Sequence, residues 1–291
     1  MGYDVWKTLF TRDFNCDKYI YHYTSVENAI QIIQSNQMVF SGLSASNDFL
    51  EEKVRIAYID KANNKNIEDC PEAKAFNCFL QKRSKLLQLL CFCVDTKFPP
   101  AKLKKMAFIH TNHNIDKYFD ITGRGFASPY MWSKYQHKNA VCFILNKAAF
   151  EKYLNADADF WVAKQVRYLG PSSYFEIDSE KLTDLHSKMC LFSKKRISLS
   201  RKIIKIPEYI DFNFFFKDIS FQGECEYRYV AMANCAEDTV CVTQLDKYIE
   251  GIVCSEDIDS EVERDLIALL NNSCDIKKIS FRDSFYRLLE K

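Results

Sequence analysis

The segment Gln222–Val230 reads Q-G-E-C-E-Y-R-Y-V. Charged and less polar residues alternate along it. Alternation marks a β-strand, because residues two apart point to the same face. On such a strand Glu224, Glu226 and Arg228 share one face, and Cys225, Tyr227 and Tyr229 take the other. Two like charges in line repel, so this face is either solvated or functional. Spacing allows both: charges turned to water on an exposed strand, or a carboxylate pair at the lip of a cleft.

Earlier in the chain, Tyr19–Tyr23 (Y-I-Y-H-Y) has the aromatic and β-branched content of a strand. Thr24 and Glu27 form a T-x-x-E capping box that starts a helix. Val26, Ala29, Ile30 and Ile33 supply its buried stripe. His22 therefore lies at a strand end, just before a helix N-terminus, where unpaired N–H groups favour phosphate. It is either a core histidine satisfied by backbone or a contact for a ribose or phosphate. Met38–Ser41 reads as a short strand. Asn47 and Asp48 fall at a turn or helix cap, with capping the simpler role. A helix opening at Pro71 runs toward Leu89, and Leu90–Val94 is a buried strand.

Ser128-Pro129 caps a short helix that crowds Tyr130, Met131 and Trp132 at its start. An aromatic there stacks on a planar ligand ring or simply packs in the core. Further strands are read at Ala140–Leu145, Phe160–Tyr168, Tyr248–Cys254 and Ile276–Phe281, and helices at Leu182–Phe192 and Glu261–Leu270. Short strands interspersed with helices, without regular βαβ spacing or a Gly-rich phosphate loop, indicate α+β rather than a Rossmann sheet.

With 291 residues, 47% of them hydrophobic, the chain can build one large core. It is read as a single elaborated domain over residues 1–291. Only 7 glycines and 6 prolines argue against repeats and flexible linkers. A net charge of +1 exerts no global pull on nucleic acid or membrane. The 12 cysteines include no C-x-x-C pair, so neither a zinc site nor a disulfide scaffold is expected. No apolar run approaches the ~20 residues of a membrane span. The expectation is a soluble, cytoplasmic, reduced protein with no metal and no membrane partner. The exception to the even charge is the cluster Lys194, Lys195, Arg196, Arg201, Lys202 and Lys205. It is either a solvated helix face or a patch for nucleic-acid phosphates.

Taken together, several pieces resemble a widespread bacterial family known only as a domain of unknown function. They are Tyr21-His22-Tyr23-Thr24-Ser25; Asn47-Asp48-Phe49-Leu50-Glu51; Cys91-Phe92-Cys93; Ser128-Pro129-Tyr130-Met131-Trp132 with Tyr135; Ala140-Val141-Cys142; and Lys217 through Phe221, Glu224, Glu226, Tyr227 and Arg228. Order and spacing agree over about residues 19–255, leaving 256–291 as a C-terminal strand-helix extension. Phe49 replaces the family proline, Phe221 its tryptophan and Asn139-Ala140 its glycine. The family in turn looks like a remote branch of the ADP-ribosyltransferase superfamily.

That second resemblance implies a split β-sheet with surrounding helices and NAD as substrate. It implies that His22, with Tyr23, Thr24 and Ser25 beside it, holds the adenosine ribose. Tyr130, Trp132 or Tyr135 would contact nicotinamide. Glu226 would be the catalytic carboxylate, with Glu224 completing an E-x-E pair and Arg228 tempering their repulsion or binding pyrophosphate. The implied activity is transfer of ADP-ribose to nucleic acid or protein by an effector of the toxin or antiphage kind, with an antitoxin or activating partner. NAD hydrolysis is a close variant. The alternative of another class is a non-catalytic nucleic-acid- or protein-binding module on the same fold.

Overall fold

The structure is a computed structural model. It describes residues 17–42, 58–60, 65–66, 87–96, 123–158, 161–169, 175–176, 214–233, 238–270, 274–280 and 287–289. Asn47, Asp48, the reading of a helix at Leu182–Phe192 and the basic cluster Lys194–Lys205 lie outside these residues.

The fold is α+β, with a mixed sheet flanked by helices. Strand β1 (Tyr19–Ser25) leads into helix α1 (Val26–Ser35). Strands β2 (Gln37–Val39) and β3 (Ser41–Gly42) follow. Next come β4 (Leu87–Cys93), α2 (Pro129–Lys134), β5 (Ala140–Asn146), α3 (Lys147–Asp157) and β6 (Trp161–Gln165). The chain closes with β7 (Glu226–Met232), β8 (Ile249–Ser255), α4 (Ser260–Leu270), β9 (Asp275–Ser280) and β10 (Arg287–Leu289). The nine-stranded sheet runs β10-β9-β8-β5-β1-β4-β7-β6, with β3 paired to β4 off this path. The segment after residue 255 thus adds strands to the same sheet, β9 lying parallel to β8.

The sheet is split. β1 pairs with β5 along all seven residues, Tyr19↔Asn146 to Ser25↔Ala140. β4 pairs with β7 along all seven of its own, Leu87↔Met232 to Cys93↔Glu226. Between these two halves β1 and β4 meet at one position, Tyr21↔Cys93. Beyond it the strands diverge, and the gap they leave is the central feature of the molecule.

Register fixes which side chains fill each face. Ile20, Phe92, Phe143, Phe150, Tyr229 and Ile252 belong to the larger core under α1, α3 and α4. Tyr19, Tyr21, Tyr23, Cys93, Phe126, Trp132 and Cys142 form a second core on the other face. The strict alternation of β1 between these two cores is why Y-I-Y-H-Y forms a strand with both faces covered.

The structure corrects several expectations. The cap of α1 is Ser25, whose Oγ accepts from the Asn28 N–H, and not Thr24. Thr24 is held in the β1–β5 ladder opposite Val141, so the helix cannot start before Val26. His22 is accordingly in the middle of β1, not at its end. Leu87–Leu89 continue β4 rather than a helix, because they pair with β7. The strand read at Phe160–Tyr168 breaks at Val166 into β6 and a short strand, Arg167–Leu169, parallel to Phe216–Asp218. Helix α3, capped by Asn146 onto the Ala149 N–H, was not anticipated. Most important, the Gln222–Val230 strand begins only at Glu226. Ile219–Glu224 is a 3-10 helix, and Cys225 turns the chain with φ of 44°.

Candidate active site

The site is assembled at the mouth of the split, and the Cys225 corner positions it. A left-handed backbone at a non-glycine residue costs of the order of 1 kcal/mol and persists only where neighbours enforce it. Here the Cys225 carbonyl accepts from the Val94 N–H at 3.1 Å, and the Glu226 N–H donates to the Tyr168 hydroxyl at 2.9 Å. Glu224 and Glu226 therefore converge although they sit on different elements. Neither is solvated: Glu224 is 2% exposed, Glu226 4% and Arg228 1%. The exposed-strand reading of the alternating charges is wrong.

Three cations neutralise the two carboxylates. Arg228 grips Glu226 with a fork, Nε to Oε1 at 2.8 Å and Nη2 to Oε2 at 3.0 Å, while its Nη1 donates to the Phe214 carbonyl at 2.9 Å. Lys217 Nζ lies 3.0 Å from Glu226 Oε2 and 2.7 Å from Glu224 Oε2. Lys134 Nζ, from α2, lies 2.6 Å from Glu224 Oε1. Burial opposes ionisation of Glu226, but the Arg228 and Lys217 charges outweigh it and hold its carboxyl well below the usual carboxylate range. Glu226 is thus a fixed anion.

Across the gap, the His22 ring lies 3.0 Å through Nδ1 from the Cys91 carbonyl of β4. A carbonyl only accepts, so Nδ1 carries the proton and Nε2 keeps a lone pair. Burial lowers the His22 pKa, with the Cys91 carbonyl opposing in part, which favours the neutral ring. The side chain spans the gap at which the β1–β4 ladder stops. The backbone-satisfied histidine and the cleft histidine are therefore the same residue.

His22 and Glu226 do not share a sheet face. His22 stands opposite Phe143 and packs on Phe92, on the side of the larger core. Glu226 stands opposite Cys93, on the side of Tyr21 and Tyr23. One cavity of about 880 Å³ nevertheless reaches both residues, with α1 residues on one flank and Lys134, Tyr135, Lys217 and Phe221 on the other.

Of the aromatics singled out in the sequence, Tyr135 lines this cavity and stacks on Tyr23, with centroids 6.3 Å apart and planes 19° apart. Trp132 is fully buried, its Nε1 donating to the Phe126 carbonyl at 2.8 Å, and it packs edge-on to Tyr23. Tyr130 lies against Gly223. Neither is among the cavity-lining residues. Tyr23 and Thr24 line the cavity, but the Tyr23 hydroxyl is engaged by the Gly125 carbonyl at 2.8 Å, and Ser25 is occupied as the α1 cap. Sequence reasoning gave no role to Lys134, Lys217 or Phe221. Lys217 and Phe221 belong to one spaced segment of the resemblance, but only the approach of α2 to the 219–224 turn brings Lys134 to them.

No helix among the described residues is long and apolar enough to cross a membrane. No protein-family model and no curated protein sequence matches the chain. Among solved structures, the chain is similar to Thermus sp. 2.9 DarT in complex with NAD+, at 10% identity over 89% of this chain and 95% of that one, with a TM-score of 0.31. It is also similar to Thermus sp. 2.9 DarT in complex with ADP-ribosylated ssDNA, at 12% identity over 89% and 93%, with a TM-score of 0.34. Likeness at this level assigns no residue a role.

Proposed function

We propose that the split-sheet cavity binds NAD and that the protein transfers ADP-ribose from it to an acceptor. The observation that carries this reading is the single-pair junction of β1 and β4. It opens a cavity with His22 on one flank and, on the other, Glu226, whose carboxyl its cationic neighbours hold well below the usual range. The volume of about 880 Å³ is within the range of about 300–1,000 Å³ for small-molecule sites. Three cations against two carboxylates leave the described charges of the site one unit positive, which suits an anionic dinucleotide.

The chemistry follows from the charges. When the bond between the nicotinamide nitrogen and ribose C1′ breaks, nicotinamide leaves as a neutral molecule with the bonding pair, and positive charge develops on the sugar. A carboxylate that cannot be protonated near neutral pH is suited to stabilise that charge. Glu226 takes this part, with Arg228 holding it in place rather than binding pyrophosphate. The acceptor then bonds to C1′ and gives up a proton. Glu224 takes that proton, because its partner Lys134 has a side chain 38% exposed and can move aside. Tyr135 offers the ring face for nicotinamide. His22 Nε2 accepts a hydroxyl proton of the adenosine ribose.

The test is NAD consumption with labelled NAD and mixed nucleic-acid and protein acceptors. Glu226→Gln is expected to lower turnover by about 10²–10³-fold, the usual cost of one preorganised electrostatic partner. Equal turnover by Glu226→Gln and wild type refutes the assignment. Transfer to one acceptor class identifies it, and nicotinamide release without transfer indicates hydrolysis.

A further inference from the structure

Lys217 takes no step in the reaction above, yet among the described residues it is the cation that touches both carboxylates. Its side chain is 6% exposed, and its Nζ lies 2.7 Å from Glu224 Oε2 and 3.0 Å from Glu226 Oε2. We propose that Lys217 is a positioning residue that holds Glu224 and Glu226 side by side in the arrangement the transfer requires. The inference rests on reading Glu226 as the carboxylate of the reaction.

The geometry leaves Lys217 little alternative. Its strand, Phe216–Asp218, pairs in parallel with Arg167–Leu169, and Phe221 of the following turn places its ring 5.2 Å from Nζ. The strand pairing fixes the Lys217 backbone, and the Phe221 ring lies beside its ammonium. Lys134 differs, since it reaches Glu224 from solvent and has no contact with Glu226. Arg228 is committed to Glu226 and to the Phe214 carbonyl. Without Lys217, two buried carboxylates face each other with one cation apiece. Such a pair relieves its repulsion by retaining a proton or by moving apart. Either outcome removes one of the two functions: the fixed anion or the acceptor base. Among the described residues, the other titratable groups interacting with the pair include Cys91, Cys93, Tyr135 and Tyr168, none of which carries positive charge.

The deciding experiment does not depend on turnover. Side-chain carboxyl carbons of the full chain are labelled, and Glu224 and Glu226 are titrated by NMR in wild type, Lys217→Met and Lys217→Arg. The methionine variant is expected to raise the midpoint of at least one of the two by a pH unit or more, a tenfold change in proton affinity. Arginine is expected to restore it. In parallel, kcat for NAD is expected to fall at least tenfold with KM little changed, and the acidic limb of the pH profile to move upward. Unchanged titrations in a folded Lys217→Met protein overturn the proposal, whatever its turnover. If wild type consumes no NAD, the reading of the site fails while the titrations still decide whether Lys217 holds the pair. Should Lys217→Met not fold, Lys217→Met/Glu224→Gln is expected to recover folding, because one of the repelling charges is gone. Failure of that recovery also overturns the proposal.

Discussion

Replacing Arg228 by methionine isolates the electrostatic design of the site. The side chain is 1% exposed, and its stem packs inside the protein, so methionine preserves most of the volume. Among the described contacts, those lost are the fork onto Glu226, at 2.8 and 3.0 Å, and the bond to the Phe214 carbonyl. Removing one member of a buried ion pair costs about 3–5 kcal/mol, because the other is left desolvated. Lys217 still touches Glu226, so the lower end, about 3 kcal/mol, is expected. Total stability is about 5–15 kcal/mol for a typical protein, so the loss is readable in urea unfolding.

The sign of its pH dependence is fixed. In wild type the folded Glu226 carboxyl lies well below its ordinary value of 4.5, so it contributes stability that is fully present above that value and lost as pH falls through the folded one. Arg228→Met removes much of this contribution. The gap between the two proteins is therefore widest above about pH 4.5 and narrows below it. A difference under about 1 kcal/mol at neutral pH, the magnitude of a surface pair, or a gap that does not change with acid, refutes the account.

Two further outcomes test the split and the histidine. A Cβ on Gly125 would overlap the ring of fully buried Tyr21, the β1 residue of the only β1–β4 pair, so Gly125→Ala is expected to cost about 1–3 kcal/mol as overpacking does. Gly223→Ala is expected to be destabilising as well, because its Cβ would lie 2.8 Å from Cγ and 3.2 Å from Cβ of Tyr130, the fixed end of that side chain on α2, and the unfolding midpoint should fall for both variants. For His22, burial lowers the folded pKa below 6.5, so the unfolded chain binds the proton more readily and stability falls as pH drops below about 6.5. His22→Asn should flatten that slope in unfolding midpoints measured between pH 5 and 8, and a slope unchanged by the substitution would count against a buried neutral ring.

Much of the strand framework was legible because it is written locally. Tyr19–Tyr23, Leu90–Val94, Ala140–Leu145 and Tyr248–Cys254 combine aromatic and β-branched residues in short runs, and each is a strand of the large sheet. The helix after β1 was visible in its apolar stripe, but its cap was misplaced by one residue. Ser ranks above Thr as a cap, and the pairing of β1 with β5, far along the chain, carries the strand through Ser25 before the helix begins. The alternating charges do come together, but not on one strand face as the alternation implied. Nothing in Q-G-E-C-E signals that Cys225 adopts a left-handed backbone. That conformation is enforced by Val94 and Gln222, whose backbone groups bond to it. Lys134 could not be found by spacing, since 83 positions separate it from Lys217 and a shared carboxylate links them; Lys217 stood in a spaced segment of the resemblance, but nothing there tied it to Glu224.

Why one pair joins the two halves of the sheet follows from the same contacts. Tyr21 is pressed from one side by the close backbone approach of Gly125, whose N–H donates to Asp95 at 2.8 Å. Asp95 in turn binds Arg124 at 2.8 Å, with both side chains buried. This knot ties the end of β4 to the segment before α2 and fixes the strands where Tyr21 meets Cys93. One residue later, His22 places its ring against Phe92 and reaches back to the Cys91 carbonyl. A side-chain bond thereby replaces the next rung of the ladder. Buried backbone groups without partners are costly, so edges that diverge need such a substitute or a ligand. The histidine thus does two things at once. It satisfies the edge that the split exposes, and it lines the cavity that the split creates.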